Sequence, residues 1–314
     1  MLKGLVKGIH HITGAVIDGQ RDYDFYTNVM GLRMVKRTVN HEVGNLWHFF
    51  YGDYEGHMGT IMTNMLFDGI PMRDYQRGRG SIDALSYSIP MGATAYWIQR
   101  LNDNGYTTTE RPDRFGNKVT HFKDPGGLDS ELIECDDDTR DTTPYAGLDA
   151  SNIIRGFHSA SLISRLPELT IGFFTLGLGF EVVGQEGNRT RLAVDGGGPG
   201  KTIDILDEPD LPWGLFGLGA IHHIAFTVES VEAMKKAWGV LSGGGMILTD
   251  MRDRKWFHSI YMTEPGGINV EISNVDPGFT VDEPLEELGQ VLQLPKQWED
   301  DRERIESELP AMKW

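Results

Sequence analysis

The segments FYTNVMGLRMV, residues 25–35, and FFTLGLGFEVV, residues 173–183, are two copies of one piece of chain. They belong to an ungapped self-match at an offset of 148, in which Gly8, His10, Phe25, Thr27, Gly31 and Val35 meet Gly156, His158, Phe173, Thr175, Gly179 and Val183. A second match pairs GSIDALSYSI, from Gly80, with GAIHHIAFTV, from Gly219, and then DPGGLDSELIE, 124–134, with EPGGINVEISN, 264–274. Self-similarity at a fixed spacing marks a repeated supersecondary unit. The chain therefore contains four related modules.

Each module reads as a strand, a helix and then shorter strands separated by Gly-containing turns, an α+β pattern. The expected modules are 8–68, 78–138, 156–208 and 217–275, grouped as an N-terminal domain 1–138 and a C-terminal domain 156–275. The polar, turn-rich stretch 139–155 reads as the linker. In the fourth module Ser230 is an N-cap, Val231, Met234, Trp238 and Leu241 form the buried stripe, and Gly243 ends the helix. Ala93, Trp97, Leu101 and Gly105 play the same parts in the second. From Asp276 the sequence turns acidic, and 276–314 is expected to be a helical tail packed over a domain, with a lid or a homo-oligomer contact as the alternative.

The 314 residues carry 29 Lys and Arg against 46 Asp and Glu, a net charge of -17 that repels phosphate backbones, so nucleic acid is not an expected partner. Mean hydropathy is -0.32, and no apolar run approaches the roughly 18 residues of a membrane helix, so no membrane partner is expected. The opening MLKGLVKGIHHI has no apolar stretch followed by a small-residue cleavage site, and a cytoplasmic location is expected. The lone cysteine, Cys135, excludes an internal disulfide and a thiolate cluster, and it is expected to be inert. Any metal must be held by His, Asp or Glu.

His10-His11 and His222-His223 stand at equivalent strand positions, and a strand sends neighbours to opposite faces. His222, Ile224, Phe226 and Val228 form the more apolar set and are expected to pack on the helix. His223, with Ala225 and Thr227, then faces a cavity, as does His11 with Thr13 and Ala15. His158 aligns with His10 on the helix side. At the cavity position the four modules carry His11, Ala84, Ser159 and His223, and their last strands offer Thr63, Glu131, Asp204 and Glu271. A cavity shared by modules one and four holds His11, His223 and Glu271; one shared by two and three lacks imidazole. Two imidazoles and a carboxylate suit Fe(II) with open positions for substrate and O2, and Zn or Mn also accept this set. Tyr261 lies one strand before Glu271. His258, Arg254, Trp256 and His48 are further candidates, with a solvated turn the default for Arg254 and a structural role the default for His48.

GIHHIT, FYTNVMGLRMVKRTVN, the RFG at Arg114, GFHSASL, the EGNR at Glu186, IHHIAF, DRKWFHSIY, EPGG and DPGFTVDEP together resemble the vicinal oxygen chelate superfamily of glyoxalases, bleomycin-resistance proteins and extradiol dioxygenases, and within it the hydroquinone 1,2-dioxygenase type. The resemblance implies βαβββ modules, two of which curl into one cupped sheet, with His11, His223 and Glu271 at the positions of the iron ligands. It places His10, Thr13, His222 and Tyr261 around them. The implied activity is Fe(II)-dependent opening of a hydroquinone or catechol ring, with a small aromatic substrate and O2 as partners. DRKWFHSIY is shorter than its counterparts, so Arg254 is not assumed to take the place of their substrate arginine. The competing expectations are a glyoxalase-like lyase or isomerase, for which Thr63 stands where a fourth carboxylate is wanted, and a metal-free protein that sequesters an aromatic compound.

Overall fold

The computed structural model describes residues 3–140 and 143–314; Asp141 and Thr142 of the expected linker lie outside them. Module one comprises β1 (Val6–Val16), α1 (Gly19–Asp24), β2 (Arg33–Val39), β3 (Trp47–Gly52) and β4 (Ile61–Leu66). Module two follows with β5 (Ser81–Pro90), α2 (Thr94–Asp103), β6 (Thr109–Arg114), β7 (Asn117–Lys123) and β8 (Asp129–Cys135). Module three has β9 (Gly156–Ile163), α3 (Pro167–Gly172), β10 (Glu181–Glu186), β11 (Arg189–Ala193) and β12 (Thr202–Leu206). Module four has β13 (Ala220–Val228), α4 (Val231–Gly243), β14 (Arg252–Asp253), β15 (His258–Thr263) and β16 (Asn269–Asn274). All four are βαβββ.

The repeated segment behaves alike in both copies. α1 and α3 each run on into a π-helical turn, Phe25–Val29 and Phe173–Gly177, in which Met30 N–H donates to the Phe25 carbonyl at 2.9 Å and Leu178 N–H to that of Phe173 at 3.2 Å. Gly31 and Gly179 follow with φ of 68° and 80°. A Cβ on Gly31 would lie 2.3 Å from Leu148 Cδ1, so both the left-handed backbone and the packing demand glycine there. α2 buries Trp97 and Leu101 as expected. α4 buries Met234, Ala237 and Leu241, whereas Trp238 is 39% exposed and its indole donates to the Thr249 carbonyl at 3.1 Å. The stripe is narrower than the sequence pattern suggested because the indole's polar edge is satisfied only at the rim.

In every module the first strand pairs parallel with the last, and the first strands of different modules pair antiparallel: β1 with β13, and β5 with β9. The strand order β2-β3-β4-β1-β13-β16-β15-β14 thus joins modules one and four, and β10-β11-β12-β9-β5-β8-β7-β6 joins two and three. One bridge, Ile221 to Ile82, connects the two eight-stranded arrays. The cups therefore cross the two halves of the sequence, each uniting one module from either side of the linker.

The tail is less helical than expected. Beyond Asp276 only α5 (Arg302–Glu308) is α-helical, preceded by short 3-10 turns, since Pro277, Pro284 and Pro295 interrupt any longer helix. It does pack over a module. Lys36, fully buried on β2, meets Asp282 at 2.5 Å and also Glu283, and the Trp47 indole donates to the Pro310 carbonyl at 2.9 Å. Among the described residues no helix is long and apolar enough to cross a membrane.

Candidate metal centre

At the centre of the first cup, His11 on β1 and His223 on β13 come from antiparallel neighbours, and Glu271 on β16 lies directly beside Ala225. The atoms His11 Nε2, His223 Nε2 and Glu271 Oε2 form a triangle with edges of 3.2, 2.9 and 3.3 Å, all buried. Three donors at about 2.1 Å on one face of an octahedron stand about 3.0 Å apart, so the triangle has the dimensions of the facial 2-His-1-carboxylate set.

The two HH pairs each contain a β-bulge. Ile9 faces Phe226 but His11 faces Ala225, leaving His10 as the extra residue; Thr13 faces His223 but Gly14 faces Ile221, leaving His222 extra. A bulge re-aims side chains locally, so the strict alternation expected from sequence fails at both positions. His10 packs edge-on against Phe257 with its centroid at 4.9 Å, and His222 lines the cavity and touches Phe216. Neither follows the helix-facing expectation. Instead the Nδ1 atoms of His10 and His11 lie 2.8 Å apart, and those of His222 and His223 lie 2.7 Å apart.

The first contact fixes a tautomer. His10 Nε2 is 3.0 Å from the Asn274 carbonyl, which can only accept, so His10 Nε2 carries the proton. Burial, reinforced by His11, lowers the His10 pKa to about 3, so the ring holds one proton and its Nδ1 is an acceptor. His11 Nδ1 must then donate to His10, so Nε2, which faces Glu271 Oε2, is the His11 nitrogen available to a cation. Ser273 donates to Glu271 Oε1 at 2.7 Å, whereas Oε2 is buried without a hydrogen bond of acceptable geometry. Burial alone would raise the Glu271 carboxyl, but His11 and His223 hold it well below the usual carboxylate range. Two imidazole nitrogens and a carboxylate oxygen thus converge on one point, where a cation can take the place of the protons between them.

The wall beyond the triangle is half polar. Thr13 Oγ1 stands 2.8 Å from His223 Nε2 and 2.7 Å from Thr63 Oγ1, which in turn is 3.0 Å from His48 Nε2. The position where a fourth carboxylate could sit is thus a hydroxyl committed to its neighbours. Tyr261, paired with Glu271 across β15 and β16, places its ring 6.0 Å from that of His223. Arg254 is no solvated turn: its Nε donates to Tyr261 Oη at 2.9 Å and its Nη1 to Glu42 at 2.8 Å. Burial, then Glu271, raises the Tyr261 phenol above its ordinary value, so it stays protonated. His48 and His41 also line the cavity, and burial keeps both neutral. Trp256 and His258 do not line it; the Trp256 indole is engaged by Asp282 at 3.0 Å. Cys135 donates to Asp137, and burial together with that carboxylate pushes its thiol up to about 12.

The second cup repeats the geometry without the chemistry. Asp83 and His158 are its bulge residues, the counterparts of His222 and His10, and His158 Nδ1 lies 3.0 Å from Ser159 Oγ. Its carboxylates are consumed: Glu131 binds Arg114 and Ser86, and Asp204 binds Arg191 at 2.7 Å and Arg189 at 3.0 Å. Sequence reasoning missed these arginines, and also Ser273, Asn274 and Phe257 around the first site. Ser273 was open to discovery, since two residues along a strand share a face.

Four βαβββ modules paired into cups, one of them holding this triangle, define the class: the chain belongs to the Glyoxalase/Bleomycin resistance protein/Dioxygenase superfamily, whose profile matches residues 8–64 and 156–272. Among individual relatives, it is 36% identical over 302 residues to the "Putative ring-cleaving dioxygenase MhqO" of Bacillus subtilis (strain 168), covering 96% of this chain and 95% of that one. It is 33% identical to the chlorohydroquinone/hydroquinone 1,2-dioxygenase of Sphingobium indicum, covering 96% and 95%. The crystal structure of a "putative dioxygenase" from Bacillus subtilis superposes with a TM-score of 0.93 at 35% identity over 98% of both chains. Glyoxalase I of Zea mays, at 16% identity and a TM-score of 0.61 over 85% and 92%, shares the fold.

Proposed function

We propose that this protein is an Fe(II)-dependent dioxygenase that opens the ring of a hydroquinone- or catechol-type diol with O2. The observation that carries the reading is the buried triangle of His11 Nε2, His223 Nε2 and Glu271 Oε2, with the His11 ring held at Nδ1 by His10, itself bound to the Asn274 carbonyl. The relatives named for ring cleavage support it across nearly the whole chain. His11, His223 and Glu271 would hold a ferrous ion, which would supply open positions for the diol and O2 and redox chemistry between them; Mn or Zn fits the same donors.

The chain's own residues bind, orient and protonate. His10 and His222 set the orientation of the two ligand rings through their Nδ1 contacts. Because Arg254 Nε must donate to Tyr261 Oη, the phenolic proton is left to point elsewhere, toward a substrate oxygen in the cavity. Thr13, between His223 and Thr63, has a hydroxyl that can orient a ligand beside the triangle. Phe50 and Phe257 give the ring an apolar seat that excludes water.

The test is oxygen uptake by protein reconstituted with Fe(II) under anaerobic conditions, across a panel of hydroquinones and catechols, with product mass measured. Uptake with a mass gain of two oxygen atoms is expected, and its loss in His11→Ala. Absence of both across the panel overturns the proposal.

A further inference from the structure

A second cavity, of about 330 Å³, lies where modules two, three and four meet. The connections between modules one and two and between three and four run side by side there, bridged at Asp74 and Leu218, Gln76 and Leu215, and Arg79 and Trp213. They bring Arg73 and Phe216 to the cavity, and Arg165 enters from just beyond β9. His222 lines both this cavity and the one that holds the metal triangle.

The lining contains two guanidinium groups and no carboxylate, in a chain with a net charge of -17. Arg73 Nε donates to the Phe216 carbonyl at 2.7 Å and Arg165 Nε to the Arg79 carbonyl at 3.4 Å. Among the described residues neither arginine has an ion-pair partner, and their Nη atoms make no hydrogen bond. Arg165 is held in place all the same. Its guanidinium lies 4.8 Å from the Trp213 ring, and a Cβ on Gly80 or Gly267 would stand 2.3 or 2.9 Å from its Nε. A fixed fork with unused N–H groups suits a carboxylate bound through both oxygens. The fold does not require it: the repeat at an offset of 148 puts Ile17 where Arg165 stands. Leu215 and Phe216, both exposed, add apolar sides that suit a carbon chain better than an inorganic anion. The cavity is about twice the roughly 150 Å³ that accommodates benzene, room for an acid of about six carbons.

We propose that this cavity is a binding site for a small organic carboxylate, held by Arg165 and Arg73. The site stands independently of the ring-opening reading. If that reading holds, breaking the bond between a hydroxylated ring carbon and its neighbour, with one atom of O2 going to each, turns the hydroxylated carbon into a carboxyl group and supplies one such acid. An acid made elsewhere is the other source.

Calorimetry on Zn-loaded protein tests the site with adipate, a six-carbon diacid, against inorganic phosphate. One adipate per chain is expected, with a dissociation constant below about 1 mM and at least about tenfold tighter than phosphate. Arg165→Gln should weaken adipate about tenfold or more, and Arg73→Gln, which removes a more exposed group, about threefold. Arg73 makes a single backbone hydrogen bond, so its variant reads the site without threatening the fold. No adipate binding, adipate bound no tighter than phosphate, or an affinity unchanged in both variants, as for an acid sitting on the metal, overturns the proposal. Titration of the ring-opened acid from the Fe(II)-loaded reaction separates the sources: weakening by Arg165→Gln makes it the occupant, and no weakening assigns the site to an acid made elsewhere. If no ring is opened, the ring-opening reading falls while the adipate titration still decides this site.

Discussion

Replacing His10 by Leu removes two hydrogen bonds that the fold threads to the metal triangle. His10 Nδ1 accepts from His11 Nδ1 at 2.8 Å, and His10 Nε2 donates to the Asn274 carbonyl at 3.0 Å, both fully buried. In the variant the His11 Nδ1 proton has no partner, and the ring gains freedom to adopt the other tautomer, whose Nε2–H cannot bind a cation. An abandoned buried donor costs about 1–3 kcal/mol, which corresponds to roughly a fivefold to 150-fold loss in metal affinity and brackets the 10–100-fold typical of groups that orient a metal-bound histidine. Competition against a chromophoric chelator at fixed pH, with Fe(II) and Zn, measures it. His10→Gln, which presents both an acceptor and a donor, should recover part of the loss. Thermal unfolding of the metal-free proteins serves as the control: the abandoned His11 and Asn274 groups should lower the unfolding temperature by only a few degrees, leaving the variant folded under the conditions of the titration. Affinity within twofold of the unsubstituted protein would refute the tautomer argument.

Glu271→Gln preserves volume but removes the charge, and it should weaken metal binding by about a hundredfold or more, roughly 3 kcal/mol, with oxygen uptake abolished when measured polarographically. Lys36→Met leaves the buried Glu283 carboxylate without its cation, while Asp282 keeps Lys255 at 2.9 Å, so urea unfolding should show a loss of about 3 kcal/mol; no loss would mean the tail is not anchored there. Burial, then Arg191, lowers His158 from 6.5 to about 4, so the unfolded chain takes up a proton that the fold excludes. Its contribution is complete above pH 6.5 and is lost as the pH falls toward 4, at about 1.4 kcal/mol per unit. His158→Gln should therefore shrink the fall in metal-free stability between pH 6.5 and 4.5 by about 2 kcal/mol, and an unaltered pH profile would contradict the assigned neutrality.

The repeat made four modules of a strand, a helix and shorter strands legible before any coordinates, with βαβββ supplied by the family resemblance, and it grouped His11, His223 and Glu271 on the condition that modules one and four share a cavity. Alternation, however, is a rule for regular strands, and it broke at His10 and His222, where a bulge adds one residue. Those bulges leave no local mark in sequence. They show only in the register of β1 against β13, which is a property of two distant segments. The same holds for Arg254, whose neighbours in sequence look like a turn but whose guanidinium is drawn inward by Tyr261 and Glu42. The second cup was legible as lacking imidazole, yet the arginines that fill it come from β6 and β11, strands the repeat comparison had not aligned. In the tail the acidic composition suggested helix, and proline at 277, 284 and 295 prevailed.

The most direct test of the metal centre is crystallographic: anomalous difference density collected at the iron edge from crystals of protein loaded with Fe(II) under anaerobic conditions. A single strong peak about 2.1 Å from His11 Nε2, His223 Nε2 and a Glu271 oxygen, absent from Glu271→Gln crystals, is the predicted result. A peak bound by other residues, or an empty triangle in protein that still opens the ring, would contradict it.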